Sequence, residues 1–366
     1  MGWVGGCENR EMAAIGRGRT LAEAYRHFGE VDVVDSSPLY ARVAVALSES
    51  EEARRAIEQA PELKRHPTVI LAALHDLAIQ GRAPALADAY ARRDLDAAPQ
   101  AAIDALLALN GDVVALATHR QTQTNETGRC AVLYPAIAEA ARRVGATRVG
   151  LVDVGCSAGL NLNLDRAGIT YGNGVFLGDA SSPLQLTCEV VGERSIPDRP
   201  IPPVVARIGV DLNPVDASDA ADARWLHACL WPDQPERVER LNAAIALAAS
   251  QPPTLMQGDA VEVLPDALAR VPDDALPVVT TTWALSYFPL ESRLRFLRRL
   301  DEAAKTRPVA WVSGEGVGIA PAIPTLGDVR ASPHSIVGLA IFERAALRAD
   351  AIGRCHPHGR WLEWLA

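Results

Sequence analysis

Residues 151–161, LVDVGCSAGLN, decide the fold class of this chain. A short apolar run reaches Asp153, a turn with Gly155 and Gly159 follows, and a helix is expected after it. Glycine permits a tight turn and a close approach of the backbone to a ligand. Because the N–H groups of such a turn and of a helix N-terminus attract polar or anionic atoms, the stretch predicts a strand–turn–helix unit that binds a ligand.

The same stretch departs from two phosphate-binding motifs but matches a motif that carries a catalytic serine. No Gly-Lys-Ser/Thr follows it, as a P-loop requires, and Ser157 replaces the second glycine of G-x-G-x-x-G. It does match G-x-S-x-G, the nucleophile elbow of α/β hydrolases, although no HGGG-like loop precedes it. In that alternative Ser157 is the nucleophile, with a later aspartate and His334 or His356.

Further strand patterns follow this motif. Short apolar runs end in small or polar residues, and most are followed by helical patterns: ARIGVDLNP, PPTLMQGDA, LPVVTTTWALSYF and RPVAWVSGEG. This alternation predicts an α/β fold with a mostly parallel sheet covered on both faces. The end of the chain predicts two strands joined by a His-Pro-His-Gly turn, an antiparallel hairpin closing one edge of the sheet. Residues 165–203, rich in Gly and Pro, predict an insertion, either an extra hairpin or a lid.

The first part of the chain has a different pattern. From about Leu21 to Gly145, apolar residues recur at helical spacing, as in LAEAYRHFG and PTVILAALHDLAIQG. The 366 residues are enough for two domains. We therefore expect an all-helical N-terminal domain over residues 1–145, capping the site, and an α/β domain over 146–366.

Polar residues at the predicted strand ends form the candidate site, because ligands of open α/β sheets bind at the carboxyl ends of the strands. Asp153 ends the first strand. Asp211, with Leu212 beside it, ends the second, where a carboxylate can accept hydrogen bonds from both hydroxyls of a ribose. Asp259 and the N–H of Ala260 follow the third strand and are suited to face an adenine ring.

Two later strand ends supply candidate groups for a substrate. Trp283 and Tyr287 follow the fourth strand in TTWALSYF, where a substrate should meet a nucleoside ligand. Glu315 ends the fifth strand in WVSGEG and is a candidate base or ligand for a substrate amine.

The order DVGCSAG, GVDLNP, QGDA, TTWALSYF is similar to that of class I S-adenosylmethionine-dependent methyltransferases. A wider set of motifs resembles the uncharacterised bacterial family called domain of unknown function 2332: QTNETGR, DVGCSAGLNLNLDR, RIGVDLNPVDASD, RWLHACLWPDQPERVERL, GDA and HPHGRWLEWL. This likeness runs from roughly Gly16 to the C-terminus. The methyltransferase likeness implies a Rossmann-like fold and S-adenosylmethionine as cofactor, whereas the family name implies no activity.

Two departures accompany the methyltransferase resemblance. The usual loop, an acid followed by three alternating glycines, reads Asp-Val-Gly-Cys-Ser-Ala-Gly here, and Gly155 and Asp211 are unusually far apart. The cofactor-binding residues predicted from the strand ends and the resemblance together are Asn125, Arg129, Asp153, Gly155, Ser157, Gly159, Asp211, Leu212, Asp259, Ala260 and Trp283.

The polar stretch QTQTNETGR, residues 121–129, closes the helical part. Arg129 is suited to grip the carboxylate at the amino-acid end of the cofactor, and Glu126 to hold its ammonium or act as a base. The alternative is structural: Thr124 or Asn125 caps the next helix, and Glu126 pairs with Arg129 at i,i+3.

We expect a cytoplasmic methyltransferase that acts on a small molecule, with catalytic groups among Glu126, Tyr287 and Glu315. One alternative is chemistry on the aminocarboxypropyl chain of the cofactor, by intramolecular cyclisation, lyase or alkyl-transfer steps. The others are a hydrolase using Ser157 and a nucleoside-binding protein without turnover. The sequence predicts neither the acceptor nor the oligomeric state.

Charge and composition limit the classes of partner and site that we expect. The net charge is −9 and no basic block occurs, so a nucleic-acid partner is not expected. No apolar run is long enough for a membrane span, and MGWVGGCENRE does not resemble a signal peptide. Six scattered cysteines without a CxxC pair predict reduced thiols and no metal site. We expect Asp219 to cap a helix, Trp225 to lie in a core, and His356 and His358 to be structural or exposed.

Overall fold

A computed structural model describes residues 19–344 and 346–366. The N-terminal stretch for which we predict no signal peptide, with Cys7, lies outside the described residues. The chain forms two compact units. One comprises the chain up to Thr124 and Ser218–Glu239; the other comprises Asn125–Ala217 and Arg240–Ala366.

Helices and strands follow one another along the described residues. Helices α1 to α12 span Leu21–His27, Pro38–Glu49, Glu51–Ile57, Pro67–Ile79, Pro84–Arg92, Ala97–Ala108, Asn110–His119, Cys130–Val144, Ala220–Ala228, Pro235–Ser250, Ala260–Ala269 and Leu290–Ala303. Strands β1 to β11 span Val149–Val154, Gly168–Tyr171, Phe176–Gly178, Gln185–Val191, Val204–Asp211, Thr254–Gln257, Leu276–Thr282, Val309–Gly316, Ser335–Glu343, Ala346–Cys355 and Trp361–Trp364. Short 3₁₀ turns include Thr127–Arg129, Leu160–Arg166 and Leu285–Tyr287.

The first unit is helical, and local sequence signals explain several of its helix ends. Ser37 and Ser50 accept hydrogen bonds from the first turns of α2 and α3. Asp219 caps α9 by accepting from the N–H groups of Ala221 and Asp222, as predicted. Trp225 is buried in the core and donates its indole N–H to the carbonyl of Gln121 over 2.8 Å, which agrees with its predicted core role.

The boundary between the units differs from the predicted one at residue 145. Helix α8 belongs to the second unit, because its apolar face packs against β7, β8 and β9. Residues 218–239, placed by us in the α/β domain, belong to the helical unit, because α9 packs against α4.

The second unit contains an eleven-stranded sheet in the order β3-β2-β4-β11-β10-β9-β8-β7-β1-β5-β6. Neighbours from β6 to β8 run parallel, and β1 lies between β5 and β7. The sheet is therefore mostly parallel within a mixed α/β fold, as the sequence predicted. The carboxyl ends of β1, β5, β6, β7 and β8 lie along the same edge of the sheet.

The C-terminal hairpin exists but does not close an edge. Strands β10 and β11 pair antiparallel around the His-Pro-His-Gly turn. Contrary to our expectation, β11 also pairs parallel with β4, so the hairpin lies inside the sheet. We also missed β9, which separates β8 from β10. Its run of buried residues has no two-residue alternation, the pattern of a strand covered on both faces.

The insertion predicted at residues 165–203 extends the sheet. Strands β2 and β3 form an antiparallel pair, and β4 pairs parallel with β2 and with β11. The extra-hairpin alternative is therefore observed, and its strands join the main sheet through β4.

Within the described part of the chain, no single helix combines the length and the apolar composition of a membrane span. Helices α6 and α7 reach that composition only as a pair, which is bent by 87°.

Candidate functional site

The glycine turn after β1 is as tight as the sequence predicts. Gly155, Ser157 and Gly159 have φ angles of 75°, 53° and 67°, all in the left-handed region. The element that follows differs from the prediction: Leu160–Arg166 forms 3₁₀ turns with a break at Asn163, not an α-helix. No helix N-terminus therefore points at a ligand from this turn.

The N–H groups of the turn are already bonded within the protein, which corrects our expectation that a ligand takes them. Gly155 donates to the carbonyl of Val210 over 2.8 Å, and Ser157 to Oδ2 of Asp211 over 2.8 Å. The N–H of Ala158 reaches Oδ1 of Asn125 over 3.3 Å. Side chains from two other segments thus fix the shape of the turn.

Packing supplies a second reason for the glycines. A Cβ atom on Gly155 would lie 2.7 Å from Cβ of Ala284, just after β7. A Cβ atom on Gly159 would lie 3.0 Å from Cγ of Pro253. The glycines therefore let the turn fit between its protein neighbours.

Asp211 links the end of β5 to this turn. Its Oδ2 accepts from Ser157 N–H over 2.8 Å, and its Oδ1 from Asn213 N–H over 2.9 Å. A carboxylate oxygen can accept more than one hydrogen bond, so both oxygens keep capacity for a further donor. Leu212 beside it is 63% exposed and presents an apolar surface next to the carboxylate.

Asp259 and Ala260 lie at the end of β6, as predicted. The carboxylate of Asp259 caps α11 by accepting from Val261 N–H over 2.9 Å. Ala260 is the first residue of α11, where backbone N–H groups lack intrahelical partners. The observed role of Asp259 is therefore helix capping, and its predicted place beside an adenine ring stays a prediction.

Asp153 is a buried carboxyl group at the end of β1. Its Oδ1 accepts from the Thr280 hydroxyl on the neighbouring strand β7 over 2.6 Å. Burial raises the pKa of Asp153 to about 6, while this hydrogen bond and the positive charge of Arg129 act in the opposite direction. The group therefore changes protonation close to neutral pH.

Glu315 is a second buried carboxyl group, at the end of β8 and only 1% exposed. Its Oε1 accepts from the N–H groups of Ala284 and Leu285 over 3.1 and 3.2 Å. Its Oε2 makes no hydrogen bond of normal length to any described residue. Burial raises the pKa of Glu315 to about 7, against the lowering effect of these N–H groups, of Arg129 and of Thr281.

Trp283 and Tyr287 border the same edge of the sheet after β7. Trp283 has a left-handed φ of 58° and donates its indole N–H to the hydroxyl of Ser335 over 2.9 Å. A non-glycine residue rarely adopts this conformation, and such residues concentrate at functional sites. Tyr287 is 55% exposed in the 3₁₀ turn that follows.

The polar segment 125–129 is hydrogen-bonded to the glycine turn after β1. Asn125, with a φ of 36°, donates its side-chain amide to Oγ of Ser157 over 2.6 Å and accepts from Ala158 N–H. It therefore does not cap α8, whose N-cap residue Arg129 makes no side-chain cap. The structural alternative for Asn125 is not observed.

Arg129 ties together two strand ends. Its Nε donates to the carbonyl of Pro357 over 3.0 Å, and its Nη1 to the carbonyl of Thr282 over 3.1 Å. Burial raises the pKa values of Asp153 and Glu315, and the charge of Arg129 opposes part of that rise. Arg129 thus links two segments at the carboxyl ends of the strands. Its binding to a ligand carboxylate stays a prediction.

Glu126 is only 4% exposed and lies beside a histidine that we did not assign to the site. Its Oε1 accepts from Gly128 N–H over 3.1 Å, and its Oε2 lies 3.7 Å from Nδ1 of His358. His358 is 8% exposed, and burial lowers the pKa of neighbouring His356 to about 4. The feature of the sequence that could have indicated His358 is a glycine in each of the two polar segments, Gly128 in 125–129 and Gly359 in 356–359.

The contacts of Ser157 do not resemble a Ser–His pair. Its hydroxyl accepts from Asn125, whereas His334 bonds Oδ2 of Asp328 over 2.9 Å, and Nδ1 of His356 accepts from the N–H of His358. Over the described ranges, no three His, Cys, Asp or Glu side chains are grouped so that they could hold a metal ion.

The sequence pattern of one family covers nearly the whole chain. This family, described as an uncharacterized protein conserved in bacteria (DUF2332), matches residues 22–364. The chain belongs to this family. No curated protein matches the chain. Membership in DUF2332 therefore accounts for the motifs from QTNETGR to HPHGRWLEWL but assigns them no activity.

Proposed function

We propose that this protein is an S-adenosylmethionine-dependent enzyme that acts on a small molecule, most simply by methyl transfer. The cofactor would lie across the carboxyl ends of β1, β5, β6 and β7, in a class I methyltransferase-like, Rossmann-type fold. The proposal joins the sequence resemblance to the arrangement of groups along this edge.

One observation carries the proposal: the strand order reverses beside β1, with Asp211 fixed at the end of the adjacent strand β5. Counted in chain order, β6-β5-β1-β7-β8 is the 3-2-1-4-5 order of doubly wound dinucleotide-binding sheets. Ligands of such sheets bind outside the carboxyl ends at the reversal point. The groups predicted from sequence lie at these strand ends.

The groups present suit a nucleoside. Asp211 is held by two backbone N–H groups but keeps acceptor capacity for the two hydroxyls of a ribose. Exposed Leu212 offers an apolar surface to a purine ring, and Ala260 at the start of α11 offers its backbone N–H. This donor and acceptor set supports a nucleoside ligand over a phosphate, because the turn after β1 has its N–H groups bonded within the protein.

The catalytic role that the site supports best belongs to Glu315. When bound, the cofactor would supply an electrophilic carbon attached to a sulfonium. Glu315, with a pKa of about 7, is suited to take up the proton that an attacking group must lose. Tyr287 would border the acceptor, and the tie between Arg129 and the end of β7 would keep these groups in register.

Chemistry on the aminocarboxypropyl chain remains a second candidate, supported by the polar segment beside the glycine turn. Asn125 and Glu126 would place an amide and a carboxylate near that end of the ligand. The mass of the product separates the two: methyl transfer adds 14 Da to an acceptor and leaves S-adenosylhomocysteine, whereas attack on the chain leaves methylthioadenosine.

Calorimetric titration with S-adenosylmethionine and S-adenosylhomocysteine tests the proposal. Wild type should bind both, and Asp211→Ala should weaken both at least about tenfold, because charge-assisted hydrogen bonds to hydroxyls are lost. Asp301→Ala, at an exposed position on α12, is the control and should bind as wild type does. Absence of binding to the wild type at millimolar ligand would overturn the proposal, and binding without any product would favour a nucleoside-binding protein.

Ser157→Ala tests the hydrolase alternative. Because Ser157 is hydrogen-bonded to Asn125 and not to a histidine, we expect the variant to hydrolyse aryl esters no more slowly than wild type. Ester hydrolysis by the wild type that is lost only in Ser157→Ala would contradict this expectation and support a nucleophilic serine.

A further inference from the structure

Arg293 on α12 links two turns at the carboxyl edge of the sheet. Its Nε donates to the carbonyl of Phe288 over 2.9 Å, and its Nη1 to the carbonyl of Ile319 over 3.2 Å. Phe288 follows the 3₁₀ turn after β7, and Ile319 follows β8. A terminal guanidinium nitrogen carries two N–H groups, so Nη1 keeps one for a further acceptor. These bonds fix a half-buried cation between the ends of β7 and β8.

The 3₁₀ turn Leu285–Tyr287 connects this cation to the buried carboxyl group of Glu315. Oε1 of Glu315 accepts from two backbone N–H groups at the start of the turn, over 3.1 and 3.2 Å. Nη2 of Arg293 lies 3.5 Å from the carbonyl oxygen of Ser286 within the turn. The proposed base and the cation are therefore attached to the same turn.

A second arginine, Arg330, lies beside the same link. A Cβ atom on Gly318, the residue before Ile319, would lie 3.4 Å from Nε of Arg330. This side chain is exposed and makes no hydrogen bond or ion pair to any residue that the structure describes. Burial lowers the pKa of Arg293, and the charge of Arg330 lowers it further, against the raising effect of Glu315. Two like charges thus face one turn, and a bound anion would remove their repulsion.

The loop between β8 and β9 holds Arg330 in place. Oδ2 of Asp328 accepts from Nε of Arg354 on β10 over 2.7 Å and lies 2.9 Å from Nε2 of His334. Oδ1 of Asp328 accepts from Nη2 of Arg354 over 3.2 Å. The acidic side chain nearest to Arg330 in the sequence is therefore engaged with other partners, and it anchors the loop to the sheet.

Exposed apolar side chains accompany the two arginines. Leu290 and Leu294 lie one turn apart on α12 and are 64% and 41% exposed, with Arg293 beside them on that face. Val329, in the loop between β8 and β9, is 66% exposed. Neighbouring exposed apolar side chains often mark a binding surface. A ligand that suits this surface combines a negative charge with an apolar body.

The charge balance favours a carboxylate over a phosphate. A guanidinium can bind either group through two parallel N–H bonds. Glu315, attached to the same turn as Arg293, carries a negative charge whenever it is ionised and then repels a dianion more strongly than a monoanion. The cost of removing an anion from water also grows with its charge, so apolar surroundings disfavour the dianion.

We propose that Arg293 and Arg330 form a subsite for the carboxylate of an acceptor acid with an apolar body. The inference rests on the proposed function, because it names the class of acceptor from which Glu315 would take up a proton. It places the acceptor at the ends of β7 and β8, beside the strands that the cofactor would cover.

Two probes with the same apolar body test the charge requirement. Phenylacetate carries a carboxylate, and phenylacetamide is its neutral counterpart. In ligand-observed nuclear magnetic resonance titrations with saturating S-adenosylhomocysteine, wild type should bind the acid at least about tenfold more tightly than the amide. Arg330→Gln should weaken binding of the acid about tenfold and leave that of the amide within about twofold, because a charge-assisted contact is lost.

Arg330→Lys and Arg298→Gln are the matched variants. Lysine keeps the charge of Arg330 but lacks the planar pair of donors, so it should recover part of the lost affinity. Arg298 is exposed elsewhere on α12, and its replacement removes the same charge from the surface. Arg298→Gln should therefore bind both probes as wild type does, and an equal loss in this variant would overturn the subsite.

The remaining outcomes separate the subsite from the proposed function. Equal affinities of wild type for the two probes, no binding of phenylacetate at millimolar concentration, or unchanged acid affinity in Arg330→Gln would overturn the subsite, while S-adenosylhomocysteine binding upholds the function. Phenyl phosphate that binds more tightly than phenylacetate, and only with Arg330 present, would overturn the carboxylate assignment. If wild type does not bind S-adenosylhomocysteine, the proposed function fails, and the acceptor role of the subsite fails with it.

Discussion

The free energy of unfolding of Glu315→Gln, relative to that of the wild type, should rise by about 3 kcal/mol when the pH is raised from 4.5 to 8. Glu315 has a pKa of about 7 in the folded protein against 4.5 for an ordinary glutamate. Between these values the folded state binds more protons than the unfolded chain, so rising pH lowers the stability of the wild type. Each pKa unit corresponds to about 1.4 kcal/mol, and glutamine removes this dependence.

Urea unfolding of wild type and Glu315→Gln at a series of pH values measures the effect. The contribution of the protonated side chain is fully present below pH 4.5 and is lost as the pH rises through about 7. Glu291→Gln, which changes an exposed glutamate in the first turn of α12, is the control. A stability difference that is the same at both ends of the pH range would show that Glu315 is not the buried, neutral carboxyl group described above.

The same substitution separates stability from function. If Glu315 takes up a proton during the proposed reaction, Glu315→Gln should lose at least about 100-fold in turnover while it still binds S-adenosylhomocysteine. Wild-type turnover should rise with pH through about 7, since a base must be ionised. Undiminished turnover in this variant would remove Glu315 from the reaction but leave the cofactor proposal standing.

Gly359→Ala should destabilise the second unit by roughly 3 kcal/mol. Gly359 has a φ of 72°, and its added Cβ would lie 2.0 Å from the carbonyl oxygen of Gly128. The left-handed conformation costs about 1 kcal/mol for alanine, and the clash with backbone forces the two segments apart.

Gly145→Ala provides a matched control for that variant. Gly145 has a similar φ of 70°, but nothing lies within 4 Å of an added Cβ. This substitution should cost only about 1 kcal/mol, the conformational part of the effect. Equal midpoints of urea unfolding for the two variants would show that the close contact between Gly128 and Gly359 has no energetic weight.

Several parts of the fold followed from local sequence alone. Apolar periodicity located most helices, short apolar runs located β1, β5, β6, β7 and β8, and Asp219 marked a helix start. These features depend on interactions between residues a few positions apart, so the sequence records them directly. Strand β9 was missed although it is buried along its length like β1, β7 and β8, which were located.

The details of the site depended on long-range contacts. The sequence indicated Asn125, Ser157 and Asp211 as candidates. It did not predict that Asn125 and Asp211 both bond to Ser157, from 32 and 54 positions away. Asp211 accepts from the backbone N–H of Ser157, and Oδ1 of Asn125 accepts from that of Ala158, so both side chains occupy N–H groups that the motif led us to offer to a ligand.

The sequence by itself determined the family, the alternation of strands and helices, and which polar residues stand at strand ends. Only the tertiary structure decided that the C-terminal hairpin lies inside the sheet and that Arg129 meets Pro357 from 228 positions away. Strand pairing and backbone contact depend on which distant surfaces fit together, and a local pattern of residues does not encode that fit.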